Sequence, residues 1–229
     1  MISIIIPTLN EEENIMKLIP YLHQCCKGFD TEIIIVDCGS SDKTISLAKS
    51  LPVKIITTAK GRAIQMNSGA VVAKGDILYF VHADSIPPPS FCKDIIAAIG
   101  GGYKLGRYRT YFGSKKWIFK LNAFFTRFDW FMCYGGDQTF FIEKILFNTI
   151  KGYNESMLIM EEYDLVARAK EIAKYKIFSK AAIISVRKYE KNSWYKVQRA
   201  NYKTVQLFKK GMPQNQLLAQ YKEALKEIK

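Results

Sequence analysis

The chain has 229 residues, 48% hydrophobic and 24% charged, with a formal net charge of +13. That length and composition suit a soluble globular protein with one large α/β domain and a small appendage. No run approaches the roughly 18 apolar residues of a membrane span, and "MISIIIP" has neither the basic region nor the apolar length of a signal peptide. The chain is therefore expected to begin directly with structure and to be cytoplasmic. Its five cysteines are odd in number and show no CxxC spacing, which reads as reduced thiols.

In chain order, "SIIIP" (3–7) reads as a buried strand. "NEEENIMKLIPYLHQC" reads as a helix whose glutamates suit its positive end. "EIIIVD" (32–37), "SDKTISLAKSL" (41–51), "VKIITT" (53–58), "GRAIQMNSGAVVAK" (61–74) and "DILYFVHAD" (76–84) continue the alternation of strand and helix. Strands apolar on both faces, alternating with helices of about ten residues, predict a doubly wound, mainly parallel sheet flanked by helices. Three prolines after Asp84 are expected to end the last of these strands.

The charge is uneven. Residues 1–100 carry 9 Lys/Arg against 10 Asp/Glu, and residues 101–229 carry 25 against 11. A basic second half suggests an anionic neighbour: a membrane surface, a phosphorylated substrate or nucleic acid. The alternative is a lysine-rich solvated surface.

In parallel sheets, ligands bind beyond the carboxyl ends of the strands. The polar residues there are Pro7-Thr8-Leu9-Asn10-Glu11, Asp37 to Asp42, and His82-Ala83-Asp84. Asp84 could equally be a simple turn former. Neither GxGxxG nor GxxxxGK[ST] occurs, which excludes the dinucleotide and P-loop phosphate cradles.

"ISIIIPTLNEEENI", "EIIIVDCGSSDKT", "GRAIQMNSGA" and "DILYFVHAD", in this order, resemble the nucleotide-binding half of family-2 glycosyltransferases with the GT-A fold. "GRAIQMNSGA", "YGGDQTFFIEK" and "LIMEEYDLVARAK" are similar to a small bacterial subgroup found near radical-SAM and selenium-related genes. The resemblance runs from residue 2 to about 190. It implies one glycosyltransferase domain over 1–190, with a donor-binding half (1–100) and an acceptor and catalytic half (101–190). Basic amphipathic helices (191–229) are expected to pack on the same domain.

The resemblance implies that Pro7, Thr8, Asn10, Glu11 and Asp37 line the base and ribose pocket of a UDP- or GDP-sugar. Arg62 would reach the diphosphate, with Gln65 and Asn67 as neutral partners. Ala83 and Asp84 would close a degenerate DXD motif, with Asp84 holding Mn²⁺ or Mg²⁺ and His82 a possible second ligand. Gly136, Asp137 and Gln138 would approach the acceptor or its phosphate, as would Arg187 and Lys188. Glu161 and Glu162 match the acidic motif that carries the general base of inverting enzymes. Glu162 stands at the usual aspartate position, and Glu161 is the alternative.

Two departures from the family pattern, Cys38 and His82 in place of acids, keep open a catalytically inactive or regulatory sugar-nucleotide-binding protein. A nucleic-acid-binding protein would explain the basic half but not acids converging on one cleft, so no nucleic acid is expected. Residues 114–134 and 193–211 mix aromatics with Lys and Arg, as interfacial helices do. Packing on their own core is the reading favoured for Phe124, Phe125 and Phe128. Contact with an anionic membrane at its inner face, with a lipid-linked acceptor, is the alternative.

Overall fold

The computed structural model describes residues 1–114, 116–134 and 138–225. The first three strands, β1 (Ile2–Thr8), β2 (Thr31–Asp37) and β3 (Lys54–Thr57), are joined by α1 (Glu12–Cys25) and α2 (Thr44–Ala48). Then come α3 (Arg62–Val72), β4 (Ile77–Phe80), β5 (Ser85–Ile86), α4 (Phe91–Gly100), β6 (Leu105–Tyr111), α5 (Trp117–Phe125), β7 (Phe140–Glu143) and α6 (Lys144–Thr149). The chain continues through α7 (Glu161–Lys170), β8 (Tyr175–Ile184), α8 (Arg187–Lys191), α9 (Trp194–Lys209) and α10 (Gln214–Ala224).

All eight strands belong to one sheet in the order β3-β2-β1-β4-β7-β6-β8-β5. β1 is parallel to both β2 and β4, and β2 is parallel to β3. The continuous isoleucine runs follow from this position, because an interior strand covered on both sides buries every side chain. Ile2, Ile4 and Ile6 pack into the core under α1 and α4. Ile5, Ile34 and Leu78 pack on the opposite face with Ala63, Met66 and Ala70 of α3. Gly69 lets α3 lie close to the sheet: a Cβ there would stand 2.4 Å from Cγ2 of Ile5.

The second half departs from a purely parallel sheet. β7 runs antiparallel to both β4 and β6, while β6 is parallel to β8. The sheet is thus mixed, with parallel pairs predominating. β4 also ends earlier than expected, at Phe80. His82 to Ser85 form a turn in which the Ser85 amide donates to the His82 carbonyl at 2.9 Å. The prolines come only after β5, which pairs antiparallel with the end of β8.

Core packing of the aromatics in 114–134 is overturned in part. Phe124 and Phe125 are 44% and 39% exposed, and Trp117 is 71% exposed. Phe119 is the buried residue of α5, against Phe112 and Tyr189. The C-terminal helices do bury apolar residues: Val205 of α9 joins the core on the α3 side of the sheet, and Leu225 packs with Val197 and Ala200.

Candidate active site

The loops after β1 and β2 fold onto each other. Asn10 adopts a left-handed φ of 55°, a conformation asparagine tolerates better than most residues. Its Oδ1 accepts from the Ser41 amide at 2.8 Å, and its own amide donates to Ser40 Oγ at 2.8 Å. Asp37 is 1% exposed and accepts from the amides of Gly39 and Ser40 at 2.9 and 2.8 Å. Thr8, also buried, donates its hydroxyl to the same carboxylate at 3.1 Å. The polar atoms of Asp37, Thr8 and Asn10 thus hold the two strand-end loops together as one wall. Pro7 lies in β1, paired with Val36.

Two side-chain amides of α3 also bond within the protein. Gln65 is buried and its Nε2 donates to the carbonyls of Thr8 and Val36 at 2.9 and 2.7 Å, closing the point where β1 and β2 separate. Asn67 faces the 150–160 loop, donating to the Tyr153 carbonyl and accepting from the Tyr153 amide, both at 2.9 Å.

Six expected site residues and His82 lie together in two neighbouring groups. At the start of α7, Met160 takes a left-handed φ of 69° and is followed by Glu161 and Glu162, which are 2% and 8% exposed. Arg62, at the N-terminus of α3, reaches Glu161 at 3.4 Å and Glu162 at 3.6 Å. His82 Nε2 lies 3.8 Å from Glu162. Asp164, the third acid of the motif, is paired with Arg168 at 2.6 Å and belongs to the helix.

Two residues beyond His82, Asp84 meets Arg187 at 3.0 Å, and the same guanidinium lies 3.2 Å from Glu11. Burial disfavours the Arg187 charge, but its bond to Asp84 and the charge of Glu11 outweigh this and raise its pKa. Ala83 is buried in the turn between His82 and Asp84.

Lys188 points away from this cleft and donates to the Tyr221 hydroxyl at 3.3 Å. Gln138 donates to the Cys133 carbonyl at 3.0 Å. Both line a separate cavity of about 330 Å³ between α5 and α9, along with Tyr163, Tyr189, Gln198 and Tyr202. Gly136 and Asp137 lie outside the described residues.

Sequence reasoning missed Tyr153. Its hydroxyl is buried without a hydrogen-bond partner among the described residues. Burial, then the charges of Glu162 and Glu161, push its pKa well above the ordinary phenol value. Nothing in "KGYNES" signals this, because the proximity arises only when the 150–160 loop folds back over α3.

The donor set can be tested against a divalent ion. Among the described residues no three His, Cys, Asp or Glu side chains are grouped to hold a metal. The described residues thus form no cage by themselves, which fits Mg²⁺ or Mn²⁺, ions that bind through one or two carboxylates and take their other ligands from phosphates and water. Asp84, 31% exposed at its side chain, is a carboxylate of that kind. His82 is engaged with Glu162, which favours a place beside the acid pair over a place on the ion.

A mixed α/β sheet with acid-bearing strand-end loops on one edge, facing a buried acid pair across a cleft, defines a nucleotide-sugar transferase fold of the GT-A type. Residues 3–158 match the family described as Glycosyl transferase family 2, and the chain belongs to that family.

The chain is 36% identical over 107 residues to a dolichol-phosphate mannosyltransferase of Pyrococcus furiosus, covering 44% of this chain and 30% of that one. It is 32% identical over 98 residues to a glucosyl-3-phosphoglycerate synthase of Mycobacterium tuberculosis, covering 38% and 30%. The matched segments thus span about a third of these curated relatives.

The fold is that of the M. tuberculosis synthase crystallised with Mn²⁺, UDP and glucosyl-3-phosphoglycerate: TM-score 0.64, 18% identity, covering 93% of this chain and 81% of that one. It is likewise that of the Pyrobaculum calidifontis mannosyltransferase PcManGT with GDP-Man and Mn²⁺: TM-score 0.65, 15% identity, covering 89% and 61%. At these identities the likeness speaks for the fold alone.

Proposed function

We propose that the protein is an inverting, metal-dependent glycosyltransferase that moves a sugar from a UDP- or GDP-sugar to an acceptor hydroxyl. The observation that carries this reading is the meeting of Arg62 and His82 with the buried Glu161 and Glu162, beside Asp84, Glu11 and Arg187. Relatives that bind UDP or GDP-Man with Mn²⁺ support the donor class and the ion. The subgroup near radical-SAM genes rests on its three motifs alone.

In this reading Asp84 would hold the ion. When bound, the ion would neutralise the charge that gathers on the leaving nucleoside diphosphate. Arg62 and Arg187 present guanidinium groups to the same charge. Glu162 takes the proton of the acceptor hydroxyl as that oxygen attacks the anomeric carbon opposite the leaving group. Glu161, bonded to the same arginine, holds Arg62 in place, and His82 orients Glu162.

The test is donor turnover with Mn²⁺ across UDP- and GDP-sugars, beside thermal stabilisation by the same donors. Wild type is expected to bind and turn over one donor, and Glu162→Gln to bind without turnover. Binding without turnover by wild type itself would favour the binding-only alternative.

A further inference from the structure

α5 presents its apolar stripe outward. Trp117, Leu121, Phe124 and Phe125 recur at the i, i+4, i+7, i+8 spacing of one helix face, and all four are exposed. Trp130 and Met132, just beyond the helix, extend the same face at 53% and 40% exposure. The aromatics are ordered against one another: Phe128 stacks on Trp130 at 4.6 Å, and Phe124 packs edge-on to both Phe125 and Phe128 at 5.7 Å. Apolar side chains scattered singly on a surface need no explanation, but a contiguous aromatic patch does.

The patch is framed by positive charge. Lys116, Lys120 and Arg127 are exposed, and no ion pair among the described residues joins them to a carboxylate. Arg127 lies 3.9 Å over the Phe124 ring. The one acid of 116–134, Asp129, is paired with Lys170 at 2.5 Å. Beside the stripe, Arg109, Lys120 and Arg127 line an open groove of about 330 Å³ whose apolar wall includes Ala123 and Phe124. Aromatic side chains at the depth of acyl chains, flanked by cations at the depth of headgroup phosphates, match a bilayer with anionic lipids. No helix of the described residues is long and apolar enough to cross a membrane, so contact of this kind would lie on the surface.

We propose that residues 116–134 form a docking surface for an anionic lipid bilayer, with the Arg109–Lys120–Arg127 groove receiving a headgroup phosphate. The surface is continuous with the cavity between α5 and α9, since Phe125 and Met132 line both. Tyr163, next to Glu162 in sequence, forms part of the inner wall of that cavity. Docking therefore sets the mouth of that cavity at the lipid–water boundary, where an acceptor carrying a lipid tail is met. That last step rests on the transferase reading; the docking itself does not.

The experiment is co-sedimentation of the full chain with vesicles of phosphatidylcholine, with and without phosphatidylglycerol, in the absence of donor. The expected result is binding to the anionic vesicles that falls as salt rises, with a blue shift of tryptophan emission. Lys120→Glu with Arg127→Glu is expected to cut partitioning by about tenfold or more, given the contribution of each basic residue near an anionic surface. Trp117→Ser with Phe124→Ser is expected to abolish the blue shift, with an unchanged circular dichroism melt. The proposal is overturned if wild type stays in the supernatant, if it binds neutral vesicles equally well, or if either double variant binds like wild type. It is also overturned if sedimentation velocity finds a dimer that Phe124→Ser dissolves, which would make a second copy the occupant. Donor stabilisation measured on the same samples separates this outcome from failure of the transferase reading.

Discussion

Glu161 and Glu162 are buried acids that share one half-exposed guanidinium, yet only Glu162 also faces His82. Their substitutions should therefore differ. Glu162→Gln is expected to lower kcat by about 10² to 10⁴-fold, the usual contribution of a positioned base, with donor affinity little changed. Glu161→Gln should weaken donor binding through a loosened Arg62, which isothermal titration with UDP would report. Asp84→Asn is expected to weaken Mn²⁺ binding in the presence of UDP by more than about tenfold, since even outer partners of metal ligands matter by about 10–100-fold. Electron paramagnetic resonance of free Mn²⁺ measures that directly. At this scale the strand-end acids were readable from sequence because they interrupt otherwise unbroken apolar runs. The bond of Asn67 to Tyr153 was not, for a geometric reason: five residues past Arg62 is about 500° of helix, so the two side chains leave well-separated sides of α3. The bond of Lys188 to Tyr221 was equally hidden, because it joins segments far apart in sequence.

Among the elements, α3 packs tightly on the sheet. Gly69→Ala would gain about 1 kcal/mol of helix propensity but would drive a methyl to 2.4 Å from Ile5, and overpacking of this kind costs about 1–3 kcal/mol. A net loss of stability in urea denaturation is expected. The segment after α5 carries a pH dependence. Burial acts to raise the Asp129 pKa, but bonds from Lys170 and Tyr134 more than offset it and hold the carboxyl below its ordinary value. A depressed folded pKa means stabilisation that is present above the unfolded pKa and lost as pH falls through the folded one. Denaturation midpoints should therefore drop on acidification through the carboxylate range, and Lys170→Met should flatten that slope. The aromatic stripe of α5 was visible in the sequence as a periodicity, but periodicity gives a face and not the direction it points. The orientation of β7 was equally hidden, because "FFIE" reads the same in either direction and only the connection length and neighbours decide.

Over the whole molecule, the parallel half of the sheet was legible because burial on both faces leaves no choice of residue: the runs in β1, β2 and β4 alternate between two cores. The charge imbalance was legible in amount but not in location. The structure gathers part of it at Arg109, Lys120 and Arg127 around one groove and part at Arg187, which joins Arg62 of the first half in the cleft, two positions with different expected salt responses. Exposed cations are screened within about a Debye length, while the partly buried pairs are screened much less. Raising salt should therefore release vesicles well before it weakens donor stabilisation, and a thermal-shift series run beside sedimentation checks the order.

One side chain on α3 ties together two strand ends, through Gln65 to Thr8 and Val36. Another ties down the loop that leads into the acid motif, through Asn67 to Tyr153. The 11-residue helix is consequently a ruler: it fixes the span between the loop wall at the ends of β1 and β2 and the acid pair at the start of α7. On the proposed reading, in which that wall takes the donor and that pair the acceptor, a change of donor length would demand a change in the helix itself.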